Sequence, residues 1–243
     1  MASITIFARN ILETGTVTVT GTPDTGYAKE RLYDRSISLF WKDTGATTYV
    51  IHVDQGAANI HDVDFLAIEK HNFDAKNLYW QFSDNDSVWT NSEAIMPQSG
   101  NDQIIVEESS PATHRYWRFW LSTTDPMCSE IYMSEGATFN VRSDPAPEAS
   151  FLANVQWNRS VGGLERSTKF GAKRRVRNYE MFLSAADLAT WRAAVDLLED
   201  YSLPFYIKDH DGNYYMCRFQ EPPTEIFDNP THTHVEFSVI EEL

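Results

Sequence analysis

The sequence predicts a mainly β protein in two parts: a β-sandwich, then a smaller β-barrel or sheet carrying one α-helix. Three observations predict it. Short β-rich runs separated by turn residues fill the first half. The stretch "SDPAPEAS", Ser143–Ser150, has two prolines and no apolar periodicity, so it reads as a linker. Beyond it a single stretch has helical spacing, with strand-like runs on both sides. The expected division is residues 1–143 for the sandwich, 144–150 for the linker and 151–243 for the second part.

The runs of the first half follow in order. "RSISLFW" (Arg35–Trp41) and "TTYVIHVD" (Thr47–Asp54) read as strands, with the turn "KDTGA" (Lys42–Ala46) between them. "HDVDFLAIEKHNF" (His61–Phe73) is apolar at Val63, Phe65, Leu66 and Ile68. "NLYWQFSDNDSVWT" (Asn77–Thr90) is a strand ending in an Asp/Asn/Ser turn. "HRYWRFWLS" (His114–Ser122) alternates, with Tyr116, Arg118 and Trp120 on one face and Arg115, Trp117 and Phe119 on the other. "SEIYMSEG" (Ser129–Gly136) closes the series. Many short strands with turns between them point to a sandwich.

In the second half, Asn154–Ser184 reads as strand, Gly-Gly turn, strand. Ser184 is a helix N-cap, and Asp187 three residues on completes a capping box. Leu188, Trp191, Val195 and Leu198 then recur at helical spacing, until Leu203-Pro204 stops the pattern. "LPFYIKDHDGNYYMCRF" (Leu203–Phe219) is a hairpin, and "THVEFSVIEEL" (Thr233–Leu243) buries Val235, Phe237 and Val239 on one face.

Composition narrows the function. The 243 residues carry a net charge of −15, which argues against nucleic-acid binding and against adhesion to an anionic membrane. No apolar run approaches the roughly 18 residues that a membrane helix needs, and no leader pattern opens the sequence. Folding in a cytoplasm is expected. Cys128 and Cys217 lie far apart and are expected to be buried thiols rather than a disulfide or zinc ligands.

No catalytic, cofactor or metal site is expected. The sequence has no Gly-x-Ser-x-Gly, no His-Glu-x-x-His and no phosphate loop, since "SVGGLERS" lacks the Lys-Ser/Thr ending. In "KDHDGNYY", counting from Asp209, Gly212 comes too early for the glycine of a calcium loop, and Gln220 stands where that loop needs an acid. The Asp-Gly pair marks a hairpin bend instead. His232 and His234 share a strand face but lack a third ligand. His71 is expected to orient a loop.

The first-half motifs, taken in succession, resemble galactose-binding-like jelly rolls of the discoidin type: "NIHDVDFLAIEKHNF", "LYWQFSDNDSVW", "HRYWRFWLS" and "EIYMSEG". With the early "RLYDR" (Arg31–Arg35) ahead of Trp41, the whole is similar to minor tail proteins of bacteriophages. "NVQWNRSVGG", the capped helix, "PFYIKDHDGNYYMCRF" and "HVEFSVIEEL" look like the hub barrel of distal tail proteins, although there the hub comes first and here it comes second. The resemblance implies a structural, non-enzymatic virion protein of the tail tip or baseplate, assembled in a host cytoplasm. Its partners would be copies of itself in a hexameric or trimeric ring, other tail proteins and a host-surface glycan. A sugar would meet Trp41, Asn85, Asp86 and Trp89. Arg159, Arg166, Lys169, Lys173, Arg174, Arg175 and Arg177, opposed by Glu165 alone, would form the subunit interface against acidic surface of a neighbour. The alternative is a carbohydrate-binding module or adhesin.

Overall fold

Strands carry both parts of the chain in the computed structural model, and among the described residues the longest helix is Ala185–Asp196. The structure describes residues 2–44, 47–142, 148–153, 155–161, 163, 165–169, 171–199, 201–229 and 232–242. The turn residues Gly45 and Ala46, most of the expected linker and Gly162 lie outside these. No described helix is long and apolar enough to cross a membrane.

The chain divides into two units, but not where the sequence places the boundary. One unit is Phe7–Gly136; the other joins Met1–Ile6 to Ala137–Leu243. The strand Ala2–Phe7 pairs antiparallel with Ala137–Val141, Ile6 facing Ala137. The sandwich is therefore an insertion between two neighbouring strands of the second unit. The expected boundary at 143 and the apparent order, sandwich first, are corrected accordingly. A six-residue strand of ordinary composition carries no local sign of which distant strand it will join. Of the expected linker, Glu148, Ala149 and Ser150 begin the strand Glu148–Leu152.

In the inserted unit, one sheet runs Thr16–Val19, Thr48–Asp54, Tyr116–Ser122, Asn77–Ser83, Thr90–Asn91, with Met96–Pro97 also on Asn77–Ser83. A three-stranded sheet runs Ile104–Thr113, Asp62–Glu69, Glu130–Ser134. Strand alternation sends Ile51, Val53, Trp80, Trp117, Phe119 and Leu121 of the first inward against Leu66, Ile68, Ile131 and Met133 of the second. Trp80 and Trp117 pack with ring centroids 5.3 Å apart. Strand Asp62–Glu69 is buried on both faces, because Phe7 stacks on Phe65 behind the sheet at 3.9 Å. Pro111 sits within Ile104–Thr113 where its register against Asp62–Glu69 breaks, a bulge being one of the few strand sites that tolerate proline.

"RSISLFW" is not a strand: pairing begins at Trp41, in Trp41–Thr44, and Arg35–Phe40 turns instead. Arg35 adopts a positive φ of 55°. Its buried guanidinium grips Glu13, donates 3.0 Å to the Ala8 carbonyl and lies over the Tyr132 ring. That tertiary anchor overrides the β propensity of the run.

The second unit is one sheet in the order Ala137–Val141, Ala2–Phe7, Phe205–Lys208, Tyr214–Phe219, His232–Glu241, Arg174–Ser184, Glu148–Leu152. Thr224–Asn229 also pairs with His232–Glu241. The path has two ends, so of the two forms expected, barrel or sheet, the open sheet is observed. The helix Ala185–Asp196 packs on it through Trp191, which meets Phe237 at 5.0 Å, Phe139 at 5.9 Å and Phe219 at 6.2 Å. Ser184 caps it, accepting from Asp187 N at 3.2 Å while its hydroxyl donates to Asp187 Oδ2 at 2.8 Å. Val155–Arg159 and Glu165–Lys169 form a separate two-stranded ribbon. Every described position of Glu165–Lys169 is exposed, and Val161 at its tip is fully so.

Candidate functional site

The loop after Asn77–Ser83 is built by its own polar residues. Asn85 Oδ1 accepts from Ser87 N at 3.0 Å and Val88 N at 2.9 Å, an Asx-type fold of the chain on itself. Asp86 takes a positive φ of 57°. The loop then brings Asp86 and Trp89 back over the outer face of the larger sheet. There, strand register sets Thr18, His52, Arg118, Gln81 and Asn91 in one row across five strands.

The row is wired along its length. Gln81 Nε2 donates to Asn91 Oδ1 at 2.6 Å, and Gln81 Oε1 accepts from Arg118 Nε at 2.7 Å and Trp120 Nε1 at 3.1 Å. The Arg118 guanidinium lies 4.1 Å from the centre of the Trp89 ring. His52 meets Trp89 edge-on at 5.6 Å and stacks near Tyr116 at 5.9 Å, with its Nε2 3.0 Å from Asp86 Oδ1. Beside them Tyr79 and Trp120 stack in parallel at 3.9 Å. Burial pulls the Arg118 guanidinium down from its ordinary value, against the opposing pull of Asp86. Next to it, Arg115 bonds both oxygens of Asp54 at 2.7 and 2.8 Å and holds that carboxyl below the usual range.

This surface offers half-buried rings interleaved with hydrogen-bonding groups that are fixed by neighbours. Such an arrangement can stack an apolar ring face and orient hydroxyl or carboxylate groups.

Of the four residues expected to meet a sugar, the structure brings Asp86 and Trp89 together. Asn85 lies in the same loop, where its carbonyl oxygen is consumed by the turn. Trp41 does not belong: it is 0% exposed and packs edge-on against Tyr49 in the core. A tryptophan at the start of a strand whose alternate positions face inward goes to the core, where its area is best removed from water. His52, Gln81, Tyr116 and Arg118 were missed. The signal was the outward set of "YWRFW", which pairs two large rings with an arginine where small polar residues would suffice.

The basic segment does not form one exposed array. Arg177 reaches Asp209 Oδ2 at 2.8 Å and Asp211 Oδ2 at 3.0 Å, with only 12% of its side chain exposed. Arg175 bonds the Tyr215 hydroxyl, and Arg174 lies 3.7 Å from Glu242. These three find partners within their own unit, where the sequence reading expected them to meet acidic surface of a neighbouring copy. Lys173 covers the Phe151 ring at 4.2 Å. Arg159, Arg166 and Lys169 stand on the exposed ribbon, Arg159 being 4.0 Å from Glu165.

The acidic bend is a hairpin between Phe205–Lys208 and Tyr214–Phe219, with Gly212 at φ 81° and Gly212 N bonded to Asp209 O at 2.9 Å. Asp209, 2% exposed, accepts from the Tyr179 hydroxyl at 2.9 Å as well as meeting Arg177. Its carboxylate thus joins the bend to the strand Arg174–Ser184. His234 stacks on Phe182 at 4.6 Å, and His232 starts the same strand, exposed. No group of three metal-ligating side chains occurs among the described residues. His71 orients a loop as expected: Phe73 N donates to its Nδ1 at 3.1 Å, so Nε2 carries the proton given to the Asp102 carbonyl, and burial holds the imidazole below its ordinary value. Cys128 and Cys217 are buried and unbridged, and burial raises both thiols.

No family model and no curated protein matches the sequence. Solved structures do. A GH29 fucosidase from Ruminococcus gnavus, solved with fucose, is 22% identical over 54% of this chain, with a TM-score of 0.45. The match spans 27% of that enzyme. A family 32 carbohydrate-binding module from the Clostridium perfringens protein NanJ, solved with galactose, is 16% identical over 54% of this chain and 99% of its own, at TM-score 0.43. A chitosan-binding module from a Paenibacillus chitosanase/glucanase is 16% identical over 52% of this chain and 99% of its own, at 0.44.

Proposed function

We propose that this chain is a carbohydrate-binding structural protein: the inserted sandwich binds a surface glycan, and the second unit anchors it in a larger assembly. The single observation that carries the reading is the outer sheet face where Trp89, Tyr116 and His52 crowd around Arg118. Half-buried rings next to fixed polar groups are what a sugar needs, because its C–H faces stack and its hydroxyls take directional bonds. Glycan microarray binding tests it. Saturable binding that falls on Trp89→Ala is expected; a clean array with correctly folded protein refutes it.

The anchor is read as a ring-forming component of a bacteriophage tail tip or baseplate. Two features support this. The insertion leaves the second unit with its own complete sheet, and the Val155–Lys169 ribbon extends from it carrying Arg159, Arg166 and Lys169 in a chain of net charge −15. A basic arm on an acidic protein fits acidic surface on another copy. Light scattering coupled to size-exclusion chromatography checks it. A ring-sized oligomer that dissociates on Arg166→Glu is expected, and a strict monomer at high concentration leaves the free carbohydrate-binding module as the reading.

A further inference from the structure

We propose that the sugar bound at this face carries a carboxylate, as sialic and uronic acids do, held by the terminal nitrogens of Arg118 with the sugar ring against Trp89 and Tyr116. The proposal rests on the glycan-binding reading above and narrows its ligand.

The argument begins with what Arg118 lacks. Its Nε is committed to Gln81, which fixes the direction of the guanidinium fork, and Trp89 covers one side. Its two terminal nitrogens have no hydrogen-bond partner among the described residues. Two other arginines of the same unit differ: Arg115 grips Asp54 and Arg35 grips Glu13, each through two nitrogens. The nearby acid Asp86 lies against His52 instead.

Asp86 acts on Arg118 through charge alone, because its carboxylate lies against His52. A half-buried guanidinium, already partly stripped of water, gains most from a bidentate anion that completes its bonds. A neutral hexose gives it only hydroxyl acceptors. A phosphate or sulfate ester can offer two oxygens to the same fork, so a sulfated lactose that binds as tightly as the carboxylated sugars also counts against a carboxylate-specific site.

Isothermal titration of the full chain with 3′-sialyllactose, a glucuronic acid disaccharide and lactose decides it. Binding of at least one acidic sugar about tenfold or more tighter than lactose is expected, the worth of one charge-assisted pair. Arg118→Gln should abolish the preference, and Arg118→Lys should retain part of it, with melting temperatures compared to exclude misfolding. Lactose binding as tightly as the acidic sugars, or Arg118→Gln keeping the preference, overturns the proposal while leaving glycan binding intact. No binding to any sugar on these or a wider panel overturns both.

Discussion

Ile6 and Ala137 face each other across antiparallel strands, although the whole sandwich lies between them in the chain. The two ends of the insertion thus leave from adjacent positions, as the ends of a hairpin loop do. Closing such a loop costs little extra however long it is, because closure entropy grows only logarithmically with length. Excising Phe7–Gly136 and joining Ile6 to Ala137 through an Asn-Gly turn should leave a folded sheet unit. The excised protein is expected to show a single cooperative urea transition; a molten chain without one shows that the sheet depends on the sandwich.

Trp41 and Trp89 separate core from surface. Trp41→Ala removes a fully buried indole and should cost about 3–5 kcal/mol. Trp89→Ala, on a half-buried loop residue, should cost about 1 kcal/mol or less while removing sugar binding. Urea denaturation of both variants checks the contrast, and equal costs contradict the placement of Trp89 at the site.

Asp209 holds the bend in place. Asp209→Ala leaves Arg177 and the Tyr179 hydroxyl without their shared acceptor and should destabilise by about 3–5 kcal/mol, the usual cost of breaking a buried pair from one side. Calcium or zinc should leave the melting temperature of the intact chain unchanged, since Arg177 already occupies both acids. A rise of several degrees with either metal contradicts the structural role.

Glu130 gives the sandwich a pH dependence. It is 0% exposed, accepts from Asn10 Nδ2 at 3.2 Å, and burial raises its pKa well above the ordinary 4.5, with Asp34 and Glu13 adding to the rise. The folded state therefore keeps a proton that the unfolded state releases above that value. Stability from this group is full below about pH 4.5 and falls as pH rises. Glu130→Gln needs no proton, so its advantage over the wild type should grow from pH 5 to pH 8, read as a widening gap in urea midpoint. A difference that is flat with pH contradicts a protonated Glu130.

Local pattern made much of this architecture readable. Ser184 and Asp187 marked the helix start, Val235, Phe237 and Val239 marked the inward face of the last strand, and Gly212 marked the bend. Each signal lies within a few residues. The pairing of Ala2–Phe7 with Ala137–Val141 was not readable, because antiparallel partners far apart leave no local trace. Nor was the fate of Arg174, Arg175 and Arg177, whose acids lie in the distant Asp209–Asp211 bend and just past the last strand. The outer face of the larger sheet was half readable: "SDNDSVW" announced the loop, but only strand register sets His52 and Gln81 on either side of Arg118. Trp41 misled because composition alone does not say which tryptophan faces water.

The most direct test of glycan recognition is a microarray read with the wild-type chain and Trp89→Ala at matched folded concentration. Saturable signal on a defined set of glycans, lost in Trp89→Ala while its melting temperature holds, is the predicted result. Equal signal from both proteins, or none from either, contradicts it.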